Sequence, residues 1–251
     1  MVKEHPNFSP PSDSNIPIWR YVDFTKFIHL LETQTLFFPR ADSFEDRFEG
    51  SFAKLNVILR PQIYSMIPSE KSESMLKNIS EHTRQWRRYT AISCWHMNYH
   101  ESAAMWKLYL KSDEGIAIRS TYNKLEASLK NATEDIYIGT VKYINYATDF
   151  MPEGNIFNLF THKRLSFAHE QELRAIIHHS PLSDDTNSLD FSKDTIVGGI
   201  NAKVDLESLL DSIYLAPNSP KWIQELTEAI LRRYNLDAPV IQSALDEDPV
   251  Y

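Results

Sequence analysis

The residues best suited to chemistry lie at 170–174, where Glu170, Glu172 and Arg174 alternate with Gln171 and Leu173. In an extended strand, side chains two positions apart share a face. This spacing therefore predicts two carboxylates and a guanidinium in a row, at steps of about 7 Å. Neighbouring carboxylates raise each other's pKa, and an arginine lowers both. One acid of such a pair stays ionised while the other holds or passes on a proton. Leu173 and Ala175 then face the opposite way, into packing. The plainer reading of the same residues is a solvated strand face with an Arg–Glu pair.

Three further groups compete for a role. Ser93, Cys94 and Trp95 sit in the apolar run YTAISCWHM. Cys94 offers a nucleophile, but free cysteine is among the most buried residue types, and no nearby residue lowers its pKa. Ser93 falls on the other face of that strand. Arg20 and Tyr21 belong to IWRYV (18–22), where a charge among aromatic residues is unusual. The planar fork of an arginine suits phosphate or carboxylate; an edge-strand salt bridge would use it equally well. Met105, Trp106 and Tyr109 recur at helical spacing, and with the loop residues Phe44, Asp46, Phe48 and Glu49 they offer faces for stacking a planar ring. Helical aromatics at such spacing also fill cores.

Other chemistry is absent from the sequence. There is no G-x-G-x-x-G, P-loop or H-E-x-x-H pattern. His162, His169, His178 and His179 lack zinc-site spacing, so no metal is expected.

The elements that must position these residues read as a mixture of helices and strands. IWRYV, LFFPR (36–40), YTAISCWHM (89–97), IAIRS (116–120), IYIGTVKYINY (136–146) and EQELRAIIHH (170–179) read as strands, and TIVGGINAKV (195–204), a helix near 205–210 and SIYLAP (212–217) continue the fold. Asp23 caps a first helix carrying Phe24, Phe27, Ile28, Leu30 and Leu31. Residues 54–88 read as helices broken at Pro61 and Pro68, 101–111, 122–130 and 155–168 as shorter ones, and Pro220 to Tyr234 as a last long one. A charged loop spans 41–50 and a polar insertion 180–193. Residues 1–16, with Pro6, Pro10 and Pro11, read as a flexible arm. With no linker or repeat inside 17–251, the expectation is a single α+β domain.

Composition narrows the partners. The 34 acidic residues outnumber the 26 basic ones, which argues against a broad nucleic-acid surface, since that needs excess Lys and Arg. Arg84, Arg87 and Arg88 make a local basic cluster, read as a solvated helix end or a phosphate patch. Cys94 is the single cysteine, so no internal disulfide forms. The N-terminal segment lacks the apolar core of a signal peptide, and no apolar run approaches the roughly 18 residues of a membrane span. The expected location is the cytoplasm.

Taken in order, IWRYVDF, LFFPRADSFEDRFEG, ISCWHMN, MWKLYLKSDEGIAI and HEQELRAII resemble the bacterial family called domain of unknown function 2971. The tail from IYLAPNSPKW onward is similar to that family's C-terminal part. Where the family has N-D-P, this chain has Glu45-Asp46-Arg47, and where it has C-F, this chain has Cys94-Trp95. More distantly, the order of an arginine-bearing first strand, a serine-bearing central strand and a late E-x-E strand resembles the ADP-ribosyltransferase layout. That resemblance implies a mixed or antiparallel sheet flanked by helices, with NAD as substrate and no metal. It implies that Arg20 holds the dinucleotide, that Ser93 positions Arg20 or the ribose, that Glu172 stabilises the oxocarbenium-like centre and that Glu170 orients the acceptor. Tyr21, Trp106, Tyr109 and Arg174 would complete the nucleotide site. Such a protein would be a bacterial toxin or phage-defence effector with a macromolecular acceptor that the sequence does not identify. The same pair of carboxylates would also suit hydrolysis of a glycosidic or N-glycosidic bond, and the same cleft a non-catalytic nucleotide- or protein-binding module.

Overall fold

Apolar alternation turns most of the expected strands into one large mixed sheet in the computed structural model, which describes residues 1–65, 69–110, 113–183 and 188–250. The strands are β1 (Pro17–Asp23), β2 (Thr35–Pro39), β3 (Thr90–Met97), β4 (Gly115–Thr121), β5 (Ile136–Thr140), β6 (Lys142–Ile144), β7 (His162–Arg164), β8 (Glu172–His178), β9 (Gly199–Lys203), β10 (Ser212–Leu215) and β11 (Val240–Gln242). Among the described residues the main sheet runs β11-β10-β4-β1-β3-β8-β5, with β2 and β9, and β6 and β7, forming two small pairs. Within the main sheet β10 and β11 are parallel and the other neighbours antiparallel. The helices are α1 (Phe24–Thr33), α2 (Lys54–Ile63), α3 (Ser69–Trp86), α4 (Ala103–Tyr109), α5 (Tyr122–Ser128), α6 (Asn158–Thr161), α7 (Leu206–Leu209) and α8 (Lys221–Arg233). This is the α+β single-domain architecture that the mixture of elements implied.

The two faces of the sheet are packed differently. One carries Ile18, Trp95, Ile116, Ile118, Leu173, Ala175 and Ile177 against Phe27 and Leu31 of α1 and Ile223 and Leu231 of α8. The other carries two smaller clusters. Trp19, Tyr21 and Ala117 pack with Met105 and Trp106 of α4, and Ile92 and Ile176 pack with Phe157 and Phe160. Between these clusters the same face presents Cys94, His96, Glu172 and Arg174, as the register pairs Cys94 with Arg174 and His96 with Glu172.

The sheet also opens. β1 pairs with β3 only at Ile18–Met97 and Trp19–His96. Beyond that point β1 stays with β4 as far as Asp23, while β3 stays with β8 as far as Thr90. Arg40, just after β2, bridges Ala91 of β3 instead. A fork results between β1 and β3, and Arg20 is the first residue of β1 past the split.

Asp23 caps α1 as expected, accepting from the Lys26 amide at 2.8 Å. Several expectations need correction. The single strand expected over 136–146 is two, β5 and β6, in different sheets. The helix expected over 155–168 is a single turn, α6, followed by β7 and a 3-10 segment at Leu165–Glu170. Pro61 lies inside α2 rather than ending it; the break expected at Pro68 and part of the 180–193 insertion lie outside the described residues. Residues 1–16 are not a free arm. Lys3 donates its amide to the Ile136 carbonyl at 2.8 Å, and Phe8 is buried between Tyr137 and Phe157. Gly139 makes this close passage possible, since a Cβ there would stand 2.9 Å from the Phe8 Cα. Burying that ring, worth a few kcal/mol at most, offsets only part of the cost of ordering the segment, and backbone hydrogen bonds between β5 and Met1, Lys3 and Ser9 add to it. Among the described residues no helix is long and apolar enough to cross a membrane.

Candidate active site

β8 begins at Glu172, and alternation from there sets Glu172 and Arg174 on one face, with Leu173 and Ala175 in the core behind. Glu170 is not part of the strand. It ends the 3-10 segment, and Gln171 turns the chain through a left-handed conformation at φ 42°. The row of three expected from the sequence is thus a pair on a strand plus a third residue folded back beside it.

What gathers them is a set of buried charges. Arg174 is 1% exposed and donates to Glu172 Oε2 at 2.5 Å, to both Glu49 oxygens at 2.7 and 2.9 Å, and to the Phe160 carbonyl at 2.8 Å. Lys163 of β7 donates to Glu170 at 2.5 Å and also to Glu172. Glu49 enters from the 41–50 loop, which ends at Gly50 with φ 68°. A Cβ at Gly50 would meet Arg87 Cγ at 2.6 Å and Phe160 at 2.9 Å, so a larger residue would push the loop away. The loop is also tied down by Arg164, which donates to Asp46 at 2.7 Å and lies over the rings of Phe48 and Phe167.

Three carboxyls therefore face two cations in near-complete burial. Burial opposes ionisation of Glu172, but Arg174, the hydrogen bond from Glu170 and Lys163 outweigh it and hold its carboxyl well below the usual range. Glu170 moves the other way. Burial, with the hydrogen bond to Glu172 and its charge, lifts the Glu170 carboxyl to about 7 against the pull of Lys163. One proton shared between these two acids balances the cluster. A buried pair whose environments push their acidities apart supplies one fixed anion and one group able to take up or release a proton near neutrality.

Arg20 is built differently. It donates to Ser93 Oγ and, at 2.8 Å, to the Phe37 carbonyl, and its guanidinium stands 5.7 Å from the centre of the Trp95 ring. Trp95 Nε1 donates to the same Ser93 oxygen at 3.2 Å. Among the described residues no carboxylate pairs with Arg20, and burial pulls its pKa down to about 10. Arg20 and Ser93, 73 residues apart, are thus brought into contact.

The transferase layout implies one cleft shared by Arg20, Ser93 and Glu172, and Arg20 on the opposite side of the sheet from Glu172 counts against it. The register puts Arg20 and Glu172 on opposite faces. Trp19 is opposite His96 and His96 opposite Glu172, so these share one face, while Arg20 and Ser93 leave on the other with Trp95. Arg20 is nonetheless the first residue of β1 past the fork, where β1 no longer pairs with β3. Cys94 and Tyr109 act electrostatically on Arg20, and Tyr109 also feels Cys94, Glu170 and Glu172, which add to burial in raising its pKa. Tyr109 is half exposed at the end of α4.

The remaining residues have other neighbours. Tyr21 is buried and accepts from the Ser102 amide at 2.8 Å. Trp106 packs edge-on against Tyr21 and donates to Glu101 at 2.8 Å, so it fills the core between α4 and the sheet. Cys94 faces the charged cluster, and burial pushes its thiol pKa up, away from nucleophilic reactivity. Among the described residues no cluster of His, Cys, Asp and Glu could hold a metal ion.

Sequence reasoning missed Lys163 altogether and read Glu49 only as part of an aromatic loop. The signal for Glu49 was its place just before Gly50. Lys163 gave none, since THKR reads as a solvated helix turn.

Neither a protein-family model nor a curated protein sequence matches this chain. Among solved structures, the fold is similar to Thermus sp. 2.9 DarT in complex with NAD+, with a TM-score of 0.44 and 7% identity over 96% of this chain and 100% of that one. The same protein in complex with ADP-ribosylated ssDNA gives 0.42 and 8%, over 95% and 97%. No family assignment follows. The likeness is distant, and the account of the site rests on this chain's own geometry.

Proposed function

We propose that the chain is a NAD-using transferase of the ADP-ribosyltransferase type. The observation that carries this reading is the unpaired guanidinium of Arg20, held by Ser93 at the fork and lacking a carboxylate partner among the described residues. A partly desolvated arginine with only neutral acceptors favours an anionic ligand. Across the fork stands the opposite requirement, a buried carboxylate in Glu172 that stays ionised. NAD presents both features, an anionic pyrophosphate and a sugar that becomes cationic as its bond to nicotinamide breaks.

In this reading Arg20 binds the pyrophosphate. The bond between the ribose anomeric carbon and the nicotinamide nitrogen breaks, and its electron pair leaves with nicotinamide. Glu172 lies opposite the positive charge that develops on the sugar and lowers the barrier by preorganised electrostatics. The acceptor's nucleophilic atom then bonds to the anomeric carbon, and Glu170 takes the acceptor's proton, for which a pKa near 7 is well matched. Tyr109 borders the ribose.

Hydrolysis with water as acceptor would use the same residues, and the convergence of both carboxyls on one ammonium suits it equally. Nicotinamide release from NAD by the intact protein, followed beside Glu172→Gln, tests the proposal. The expected result is release that falls on the order of 10²-fold in the variant. Free ADP-ribose as the sole product selects hydrolysis. Binding of NAD with no release assigns the cleft to a non-catalytic module.

A further inference from the structure

Lys163 takes no part in the transfer steps above, yet among the described residues it is the one ammonium in contact with both acids. It is 8% exposed, sits in a three-residue strand, donates to Glu170 at 2.5 Å and to Glu172, and lies 4.6 Å from the centre of the Phe167 ring. Its contacts are unequal in consequence. Glu172 has a second cation in Arg174, which is itself fixed by Glu49. Among the described residues, Glu170 is ion-paired only with Lys163. Glu170 also sits outside the strand, so strand alternation does not set its side chain beside Glu172.

We infer that Lys163 is the positioning residue of this site: its ammonium holds the Glu170 carboxyl against Glu172. The contact with the Phe167 ring adds to the two carboxyl contacts in restricting the lysine side chain. The charged and titratable groups facing the pair are Arg174, Glu49, Cys94, Tyr109 and Tyr143, with His96 donating to the Glu170 carbonyl at 2.6 Å. Among the described residues none but Lys163 brings a cation to Glu170 by direct contact. Without it, Glu170 faces an anionic neighbour in a buried setting, and its proton becomes harder to remove. The role of Glu170 as proton acceptor rests on the transferase reading; the positioning itself does not.

The test is therefore made without NAD. Carboxyl titrations by carbon-detected NMR, with the Glu170 signal assigned by its loss in Glu170→Gln, are compared for the native chain, Lys163→Met and Lys163→Arg. The midpoint of Glu170 should rise by roughly one pH unit or more in Lys163→Met and return towards the native value in Lys163→Arg. An unchanged Glu170 midpoint in folded Lys163→Met overturns the inference. If Lys163→Met does not fold, the double variant Lys163→Met/Glu170→Gln should, because the uncompensated carboxyl has gone; a double variant that unfolds as readily as the single one counts against it. Nicotinamide release, measured separately, bears on the transferase reading alone, so an inactive protein with the expected titrations would reject that reading and keep the role of Lys163.

Discussion

Two arginines on neighbouring parts of one sheet have opposite surroundings. Arg174 is enclosed by Glu49 and Glu172 and a carbonyl, and its charge is fully answered within the chain. Arg20, at the fork between β1 and β3, is held by a hydroxyl and a carbonyl and answered by no carboxylate among the described residues. The same side chain serves two ends. Where its charge is matched internally, it fixes the shape of the site and the acidity of its neighbours. Where it is oriented but unmatched, its charge is free, in the proposed function, to meet an anion from outside. Glu172 belongs to both descriptions, because it is matched by Arg174 and Lys163 yet stands beside the fork.

The comparison can be broken first at Arg174. Arg174→Met leaves Glu49 and Glu172 buried without their cation, and the expected loss is about 3–5 kcal/mol of stability in urea unfolding. A loss within the range of an ordinary surface substitution would mean that the charges are not enclosed as described.

A smaller effect should come from Glu170 and depends on pH. Its carboxyl is raised from 4.5 to about 7 in the folded chain, so the folded state binds more protons than the unfolded state between these values. Stability from this group is then present below about pH 4.5 and is lost as pH rises through 7. Glu172, held low, acts in the opposite sense, its contribution being lost only as pH falls below 4.5. Native protein should lose on the order of 1–3 kcal/mol between pH 5 and 7.5 from Glu170, and Glu170→Gln should flatten that slope. An unchanged slope in thermal unfolding across that range would contradict the assignment.

Ser93→Ala sharpens the other side. It removes the acceptor shared by Arg20 and Trp95, and about 1 kcal/mol should be lost in the same urea experiment. Because Arg20 is solvent-accessible and keeps the Phe37 carbonyl, a loss as large as that of Arg174→Met would show that Arg20 is structural after all.

How far the site could be read from sequence follows from the same physics. Glu172, Leu173, Arg174 and Ala175 were legible because strand alternation is a local rule. Glu170 seemed to obey it too, but Gln171 adopts a left-handed turn that spacing alone does not announce. Arg20 and Ser93 could be named as candidates from their unusual settings, and their contact fits the role that the resemblance implied for Ser93. Their face could not be read, since it depends on where β1 parts from β3. Lys163 was hidden for a different reason. A lysine between histidine and arginine reads as solvated, and only the approach of β8 and the 3-10 segment encloses it. The N-terminal arm was misread for a similar reason, because Phe8 finds its partners in β5 and at Phe157, more than a hundred residues away.

In the proposed function the unmatched arginine and the matched glutamate serve one ligand in different ways. The most direct measurement is the steady-state rate of nicotinamide release against NAD concentration for Arg20→Gln beside Glu172→Gln. An anion contact made equally in ground and transition states appears in KM, whereas a contact that strengthens as the sugar becomes cationic appears in kcat. Arg20→Gln should raise KM with little change in kcat, and Glu172→Gln should lower kcat by on the order of 10²-fold with KM little changed. Two variants that cleave NAD with the native kcat and KM, or a native protein that neither binds nor cleaves it, would contradict the account.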